Sequence, residues 1–172
     1  MLKKGLARSR AMRFGLCGGL AAVALFALGA QTEATAQAVD GKKIYGSVCG
    51  ACHQASGTGV PGMYPPLAGS EWVTGDEGRL IRVLLHGLTG DIEVNGETYS
   101  STMPPFGGAF KDAEIAAVAT YIRSSWGNKA SAVKAADVAK VRAASKARTK
   151  PWTAKELTAA AKNAASAKAG SR

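Results

Sequence analysis

Cysteine is scarce in this 172-residue chain, which has only Cys17, Cys49 and Cys52. Two of the three fall within one four-residue window, so a disulfide framework of the kind that staples small exported domains has no material. Histidine is scarcer, with His53 and His86 alone, and a zinc site made of two ligand pairs is excluded. No βαβ pattern is present, which removes a thioredoxin-like reading of the paired cysteines. Large side chains are also few: aromatic residues make up 6% of the chain, and much of its 47% hydrophobic content is alanine, which adds little to a core. Acids are nearly missing from the end of the chain. Residues 128–172 hold eleven bases against Asp137 and Glu156, net +9, whereas residues 38–127 hold six bases against nine acids, net −3. The length leaves room for one domain with extras.

What is present begins with an address. Lys3, Lys4, Arg8, Arg10 and Arg13 precede an uncharged stretch from Phe14 to Ala30, followed by the small-x-small sites Ala34-Thr35-Ala36 and Ala36-Gln37-Ala38. That order describes a cleaved signal peptide over residues 1–36 and a periplasmic mature protein starting at Gln37 or Val39. The alternative is an uncleaved membrane anchor, for which 17 apolar residues are barely long enough. There is no adjacent arginine pair for a twin-arginine route, and Leu16 before Cys17 is too bulky for a lipidation signal. Cleavage would remove Cys17, Met1 and Met12.

Cys49-Gly50-Ala51-Cys52-His53 is C-x-x-C-H, the attachment signature of c-type haem. Two thiols three positions apart lie on one side of a helical turn and can add to the two vinyl groups of one haem. His53 then lies beneath the iron. A Cys49–Cys52 disulfide is the competing reading, but it gives His53 no purpose. Met103, in Thr102-Met103-Pro104-Pro105-Phe106, is the expected sixth ligand, because the prolines stiffen the loop that must hold a thioether on iron. A core-filling role is its alternative. Met63 competes for the iron, but only ten residues separate it from His53, too little chain to reach the opposite haem face. His86 suits a helix end better than a ligand site.

The local patterns predict a largely helical fold. Asp40 caps a first helix running to about Cys49, with Ile44, Tyr45 and Val48 inward. A middle helix spans Arg79–Leu88 with Leu80, Ile81, Leu84, Leu85 and Leu88 inward. Ile92 to Tyr99 reads as a hairpin around Asn95-Gly96, leading into the Met103 loop. A third helix covers Glu114–Trp126, with Ile115, Val118, Ile122 and Trp126 on its apolar face and Gly127-Asn128 as its cap. Lys111 is a poor cap, so Asp112 is the alternative.

These segments resemble the class I c-type cytochromes. The likeness runs from about Asp40 to Asn128, with weaker echoes as far as Leu157, and is carried by Gly41-Lys42-Lys43-Ile44-Tyr45, CGACH, Tyr64 to Ser70, Met103-Pro104-Pro105-Phe106 and Ala116 to Asn128. It is strongest to small periplasmic cytochromes found beside quinoprotein dehydrogenases or within respiratory enzymes. The resemblance implies an all-α fold of about three core helices around one covalent haem c with its iron, occupying residues 37–128. It also implies a close crossing of the first and last helices at Gly41, a Pro65 carbonyl that accepts the second His53 ring N–H, and a Trp72 indole that donates to a haem propionate.

Residues 129–172 are expected to form a basic, partly helical Ala/Lys-rich tail that Trp152 docks on the globule. Residues 131–147 should be helical, Pro151 should interrupt, and Thr153 to Glu156 should cap a last helix with Trp152 and Leu157 as its hydrophobic staple. Its charge suits an acidic partner or an anionic membrane surface, with a solvated extension as the alternative. Nucleic acid is not an expected partner. Truncation after Asn128 should leave the haem site intact. The functional expectation is a non-enzymatic electron carrier between redox proteins, such as a periplasmic dehydrogenase and a terminal oxidase. A peroxidase-like haem enzyme or sensor with a labile sixth ligand is the alternative, and a docking module that works through its tail is a third.

Overall fold

Asp40 starts the first helical stretch by accepting the Lys43 N–H on its carboxylate at 3.0 Å. This computed structural model describes residues 39–169, so the expected signal peptide, its candidate cleavage sites and Cys17 lie outside the described residues. The first stretch runs further than the pattern predicts. Helix α1 (Gly41–Ile44) passes into a π-helical turn (Tyr45–Cys49) and then into α2 (Gly50–His53). The Gly50 N–H reaches back five residues to the Tyr45 carbonyl, a widening of the helix of a kind common at functional sites.

After the Gln54–Ser70 loop come α3 (Glu71–Thr74), capped by Ser70, and α4 (Glu77–His86), capped by Asp76. Helix α4 buries Leu80, Ile81, Val83, Leu84 and Leu85. It ends two residues earlier than its apolar run suggests, because Gly87 takes a positive φ of 78° and Leu88 already belongs to a strand. Strands β1 (Leu88–Val94) and β2 (Glu97–Met103) pair antiparallel in register Leu88 to Met103. The turn residues Asn95 and Gly96 have φ of 52° and 83°, the two left-handed positions that an Asn-Gly turn supplies cheaply. The hairpin is thus longer than the Ile92–Tyr99 expectation. Thr89 and Thr102 extend it through a 3.1 Å hydroxyl contact. A purely α description therefore needs correcting to a helical fold with one two-stranded sheet.

Helix α5 (Asp112–Ser124) crosses α1 at Gly41, where an added Cβ would collide with the Ala117 carbonyl. Lys111, not Asp112, is the N-cap: its backbone N–H donates to the Glu114 carboxylate at 2.8 Å. Asp112 instead pairs with Arg142. Trp126 lies beyond the helix with φ of 52°. Its ring packs on Tyr45 at 4.9 Å and Tyr121 at 5.6 Å, and its indole N–H donates to the Ala55 carbonyl at 3.1 Å. It ties the end of α5 to the loop that follows His53.

The largest departure is the tail. Helices α6 (Ala135–Ala144) and α7 (Ala154–Ala169) belong to the same compact unit as the rest, residues 37–172. Val133, Val138 and Leu157 are buried core residues. The packing runs across the expected boundary at Asn128. Large residues are few in the segment, but each is used: Val133 and Val138 join the main core, and Leu157 sits with Leu88, Val94 and Trp152 in a second cluster. The cap at Thr153 forms as the pattern predicts, with the Thr153 N–H donating to Glu156 at 2.9 Å.

Candidate functional site

Cys49 ends the π-helical turn, and Cys52 and His53 close α2. Gln54 then leaves the helix with φ of 62°, turning the chain away directly after the histidine. Cys49 and Cys52 are both half-buried free thiols. Burial, with a smaller push from Cys52, raises the Cys49 pKa to about 11, so it is held as the thiol. His53 is buried, and burial lowers its pKa against the opposing effect of its bond to Pro65. The ring is thereby kept neutral. Its Nδ1–H donates to the Pro65 carbonyl at 2.9 Å, which fixes the tautomer and leaves Nε2 with a free lone pair.

The loop bearing Pro65 is held from several directions. The Gly57 carbonyl accepts the Leu67 and Ala68 N–H groups at 2.7 and 3.0 Å, and the Gly59 N–H donates to the His53 carbonyl at 3.1 Å. Gly59 is glycine for a physical reason, since a Cβ there would overlap the Tyr64 carbonyl. Asn128 braces the same loop, accepting the Gly69 N–H at 2.9 Å and donating to the Leu67 carbonyl at 3.0 Å.

These pieces face one cavity. It encloses about 1280 Å³ of non-protein space, part of it open to solvent, and is walled mainly by apolar side chains of α4, α5 and the hairpin. Cys49, Cys52, His53, Pro65 and Met103 all line it. Met103 arrives there as the last residue of β2. Met63 does not line it: its side chain is 54% exposed on the turn between Val60 and Tyr64. The donor set suits a haem: two thiols, a neutral imidazole and a thioether around an apolar space.

Trp72 lines the cavity, but its indole N–H, the single donor it has, is given to the Glu93 carbonyl at 2.7 Å. Arg79 stacks over its ring at 4.5 Å. In this structure it forms part of the wall and ties α3 to β1. His86 is absent from the cavity lining. Its Nε2 lies 2.8 Å from the Ser145 hydroxyl, and burial, then Arg148 and Arg142, lowers its pKa.

Three side chains that sequence reasoning passes over support this site. Asn128 reads in the sequence only as a helix cap. Arg123, buried with no carboxylate partner among the described residues, donates to the carbonyls of Val73, Gly75 and Ser131. Arg142 binds the segment after Met103. A polar residue inside a helical or terminal segment carries no sequence signal of which distant carbonyls it will meet. Among the described residues, no helix is long and apolar enough to cross a membrane.

Comparison with known proteins adds the following. The family model described as Cytochrome c matches residues 38–126. A cytochrome c-552 of Thermus thermophilus is 46% identical over 121 residues, covering 68% of this chain and 71% of that protein. The cytochrome c subunit of a quinone alcohol dehydrogenase from Gluconacetobacter polyoxogenes is 40% identical over 107 residues, 60% of this chain but 22% of that subunit. The Cbb3-type cytochrome c oxidase subunit FixP of a Bradyrhizobium species is 36% identical over 87 residues, 49% of this chain and 29% of that subunit.

Proposed function

Because the chain belongs to the cytochrome c family, with one covalent haem c and its iron as cofactor, we propose that it carries single electrons between redox proteins. Cys49 and Cys52 are the thioether attachment points, His53 the proximal ligand through Nε2, and Met103 the sixth ligand. When bound, the haem supplies a one-electron couple between the +2 and +3 states of iron. The protein's part would be to hold His53 and Met103 in place through that change. Pro65 fixes the imidazole, and the apolar wall would keep water from the metal. With both side chains held for the iron, a substrate would have no ready access to it, which favours a carrier over a peroxidase-like enzyme. His/Met ligation sets a higher reduction potential than two histidines would.

The observation that carries this reading is the arrival of Cys49, Cys52, His53 and Met103 on the walls of one apolar cavity while Met63 stays outside it. The names of the relatives point to a dehydrogenase as electron donor and a terminal oxidase as acceptor, with the basic C-terminal helices available to an acidic partner or an anionic membrane surface. The signal-peptide pattern of residues 1–36 supports the periplasm as the compartment of this work. The test is a pair of variants. Met103→Ala should abolish the weak far-red absorption band of the oxidised protein and let carbon monoxide bind the reduced form, while Met63→Ala should change neither. The reverse pattern transfers the ligand role to Met63.

A further inference from the structure

Met103 stands where a strand ends and an irregular loop begins, and the chain on both sides of it is tied down by residues from beyond Asn128. On the strand side, Leu88 pairs with Met103 across the hairpin and with Trp152 on its opposite edge. The Trp152 N–H donates to the Gly87 carbonyl at 3.0 Å, and the Trp152 carbonyl accepts the Thr89 N–H at 2.8 Å. Gly87 is pressed against the methionine itself, since a Cβ there would lie 2.5 Å from the Met103 carbonyl. The segment around Trp152 is in effect a third strand behind the one that presents Met103.

On the loop side, Phe106 and Gly107 donate their N–H groups to the Leu84 and Leu85 carbonyls at 2.9 and 3.0 Å. The other anchor is Arg142 of α6. Its Nη1 donates to the Gly107 carbonyl at 2.6 Å, its Nη2 to the Phe110 carbonyl at 2.9 Å, and its Nε to the Asp112 carboxylate at 2.6 Å. All three guanidinium nitrogens are thus committed to residues 107–112. A rigid planar fork meets three acceptors in a way that a lysine ammonium cannot. Asp112 is partly exposed, so its ion pair is screened by water. The two carbonyl bonds, charge-assisted and directed, do the holding.

We propose that Arg142 and Trp152 are positioning residues for Met103, and that the C-terminal segment serves as a brace that keeps the sixth ligand on iron. The inference rests on Met103 being that ligand. A thioether is a neutral, weak ligand, so its residence on the metal depends on how little the loop moves. Removing the fork frees residues 104–110 at one end while the core beneath stays packed. The ligand should then leave more often, and an added ligand should enter faster.

The experiment uses the haem-loaded full-length protein in its oxidised form and reads the far-red band and the rate of cyanide binding. Compared with wild type, Arg142→Gln should bind cyanide at least about tenfold faster, the scale expected for losing a charge-assisted hydrogen bond, and its far-red band should be weaker. Arg142→Lys should fall between the two. Asp40→Ala, which lowers stability by removing the cap of α1 and leaves the Arg142 bonds in place, should behave as wild type. Should Arg142→Gln fail to accumulate with haem, Arg142→Lys carries the comparison. Wild-type cyanide kinetics and a wild-type band in the Arg142 variants, with the band present and lost in Met103→Ala, would overturn the brace while leaving the ligand assignment standing. A wild-type protein without the band, unchanged by Met103→Ala, would overturn both.

Discussion

Asn128 ties two segments together: its amide nitrogen donates to the Ile122 and Leu67 carbonyls at 2.8 and 3.0 Å, and its oxygen accepts the Gly69 N–H at 2.9 Å. The residue and its bond to Ile122 are buried, while the bonds to Leu67 and Gly69 are partly open to water. Asn128→Ala should therefore strand the Ile122 carbonyl, costing about 1–3 kcal/mol, the penalty for an unsatisfied buried polar group, and loosen the Leu67–Gly69 loop. Asn128→Asp keeps the acceptor and loses the donors, and should also destabilise. Urea unfolding of the haem-loaded protein measures both. A midpoint unchanged in Asn128→Ala would mean that the Leu67–Gly69 loop holds itself. The contrast with Met63 is instructive at this scale. Both residues sit in conspicuous motifs, yet the exposed methionine touches nothing of the site and the asparagine organises one wall of it.

At the scale of elements, α7 owes its start to Glu156. Its carboxylate accepts from the Thr153 N–H at 2.9 Å, from the Thr153 hydroxyl at 3.0 Å and from Arg148 at 2.8 Å. The Arg148 bond first, and then the two from Thr153, hold the Glu156 pKa down at about 2 from an ordinary 4.5. A depressed carboxylate pKa contributes stability that is complete above 4.5 and fades as pH falls toward 2. Melting temperatures of wild type and Glu156→Gln should accordingly differ at pH 7 and converge near pH 2. A difference that persists unchanged at pH 2 would assign the effect to packing instead of charge. Helix α4 illustrates the opposite balance. Its apolar run continues through Leu88, but Gly87 stops it, and Leu88 is buried from a strand instead.

For the molecule as a whole, the C-terminal segment decides how stability and charge are distributed. Val133, Val138 and Leu157 lie in the core, and burying each such side chain is worth about 1.5–3 kcal/mol. Three of them amount to a large share of the roughly 5–15 kcal/mol that holds a typical domain together. Truncation after Asn128 should thus lower the melting temperature sharply and weaken the far-red band, reversing the expectation drawn from composition. Thermal melts followed at the haem absorption and at the far-red band check both halves. A truncated protein that melts as wild type would return the segment to the status of a solvated tail. Lys129, Lys134, Lys140, Lys146, Lys150, Lys155 and Lys162 are all exposed, Lys140 at 77%, so these charges stay on the surface while Val133, Val138 and Leu157 between them are buried.

The chemistry of this protein was legible in its sequence because covalent attachment compresses it into five consecutive residues, and because Asp40, Asn95-Gly96, Thr153 and Glu156 set their helix starts and turn through contacts only a few positions apart. Met103 stood out for a similar reason, its flanking prolines being local. The tertiary structure alone decided what bonds at long range. It made a tail expected to dock through Trp152 part of the core and gave the Trp72 N–H to Glu93. It also set Arg142, Arg123 and Asn128 on carbonyls 35, 50 and 61 positions away. Alanine-rich helices with a net positive charge read as solvated because most of their residues are. A few valines, a leucine and one guanidinium fork bind them to the domain, and pairings of that kind depend on three-dimensional proximity that no local pattern encodes.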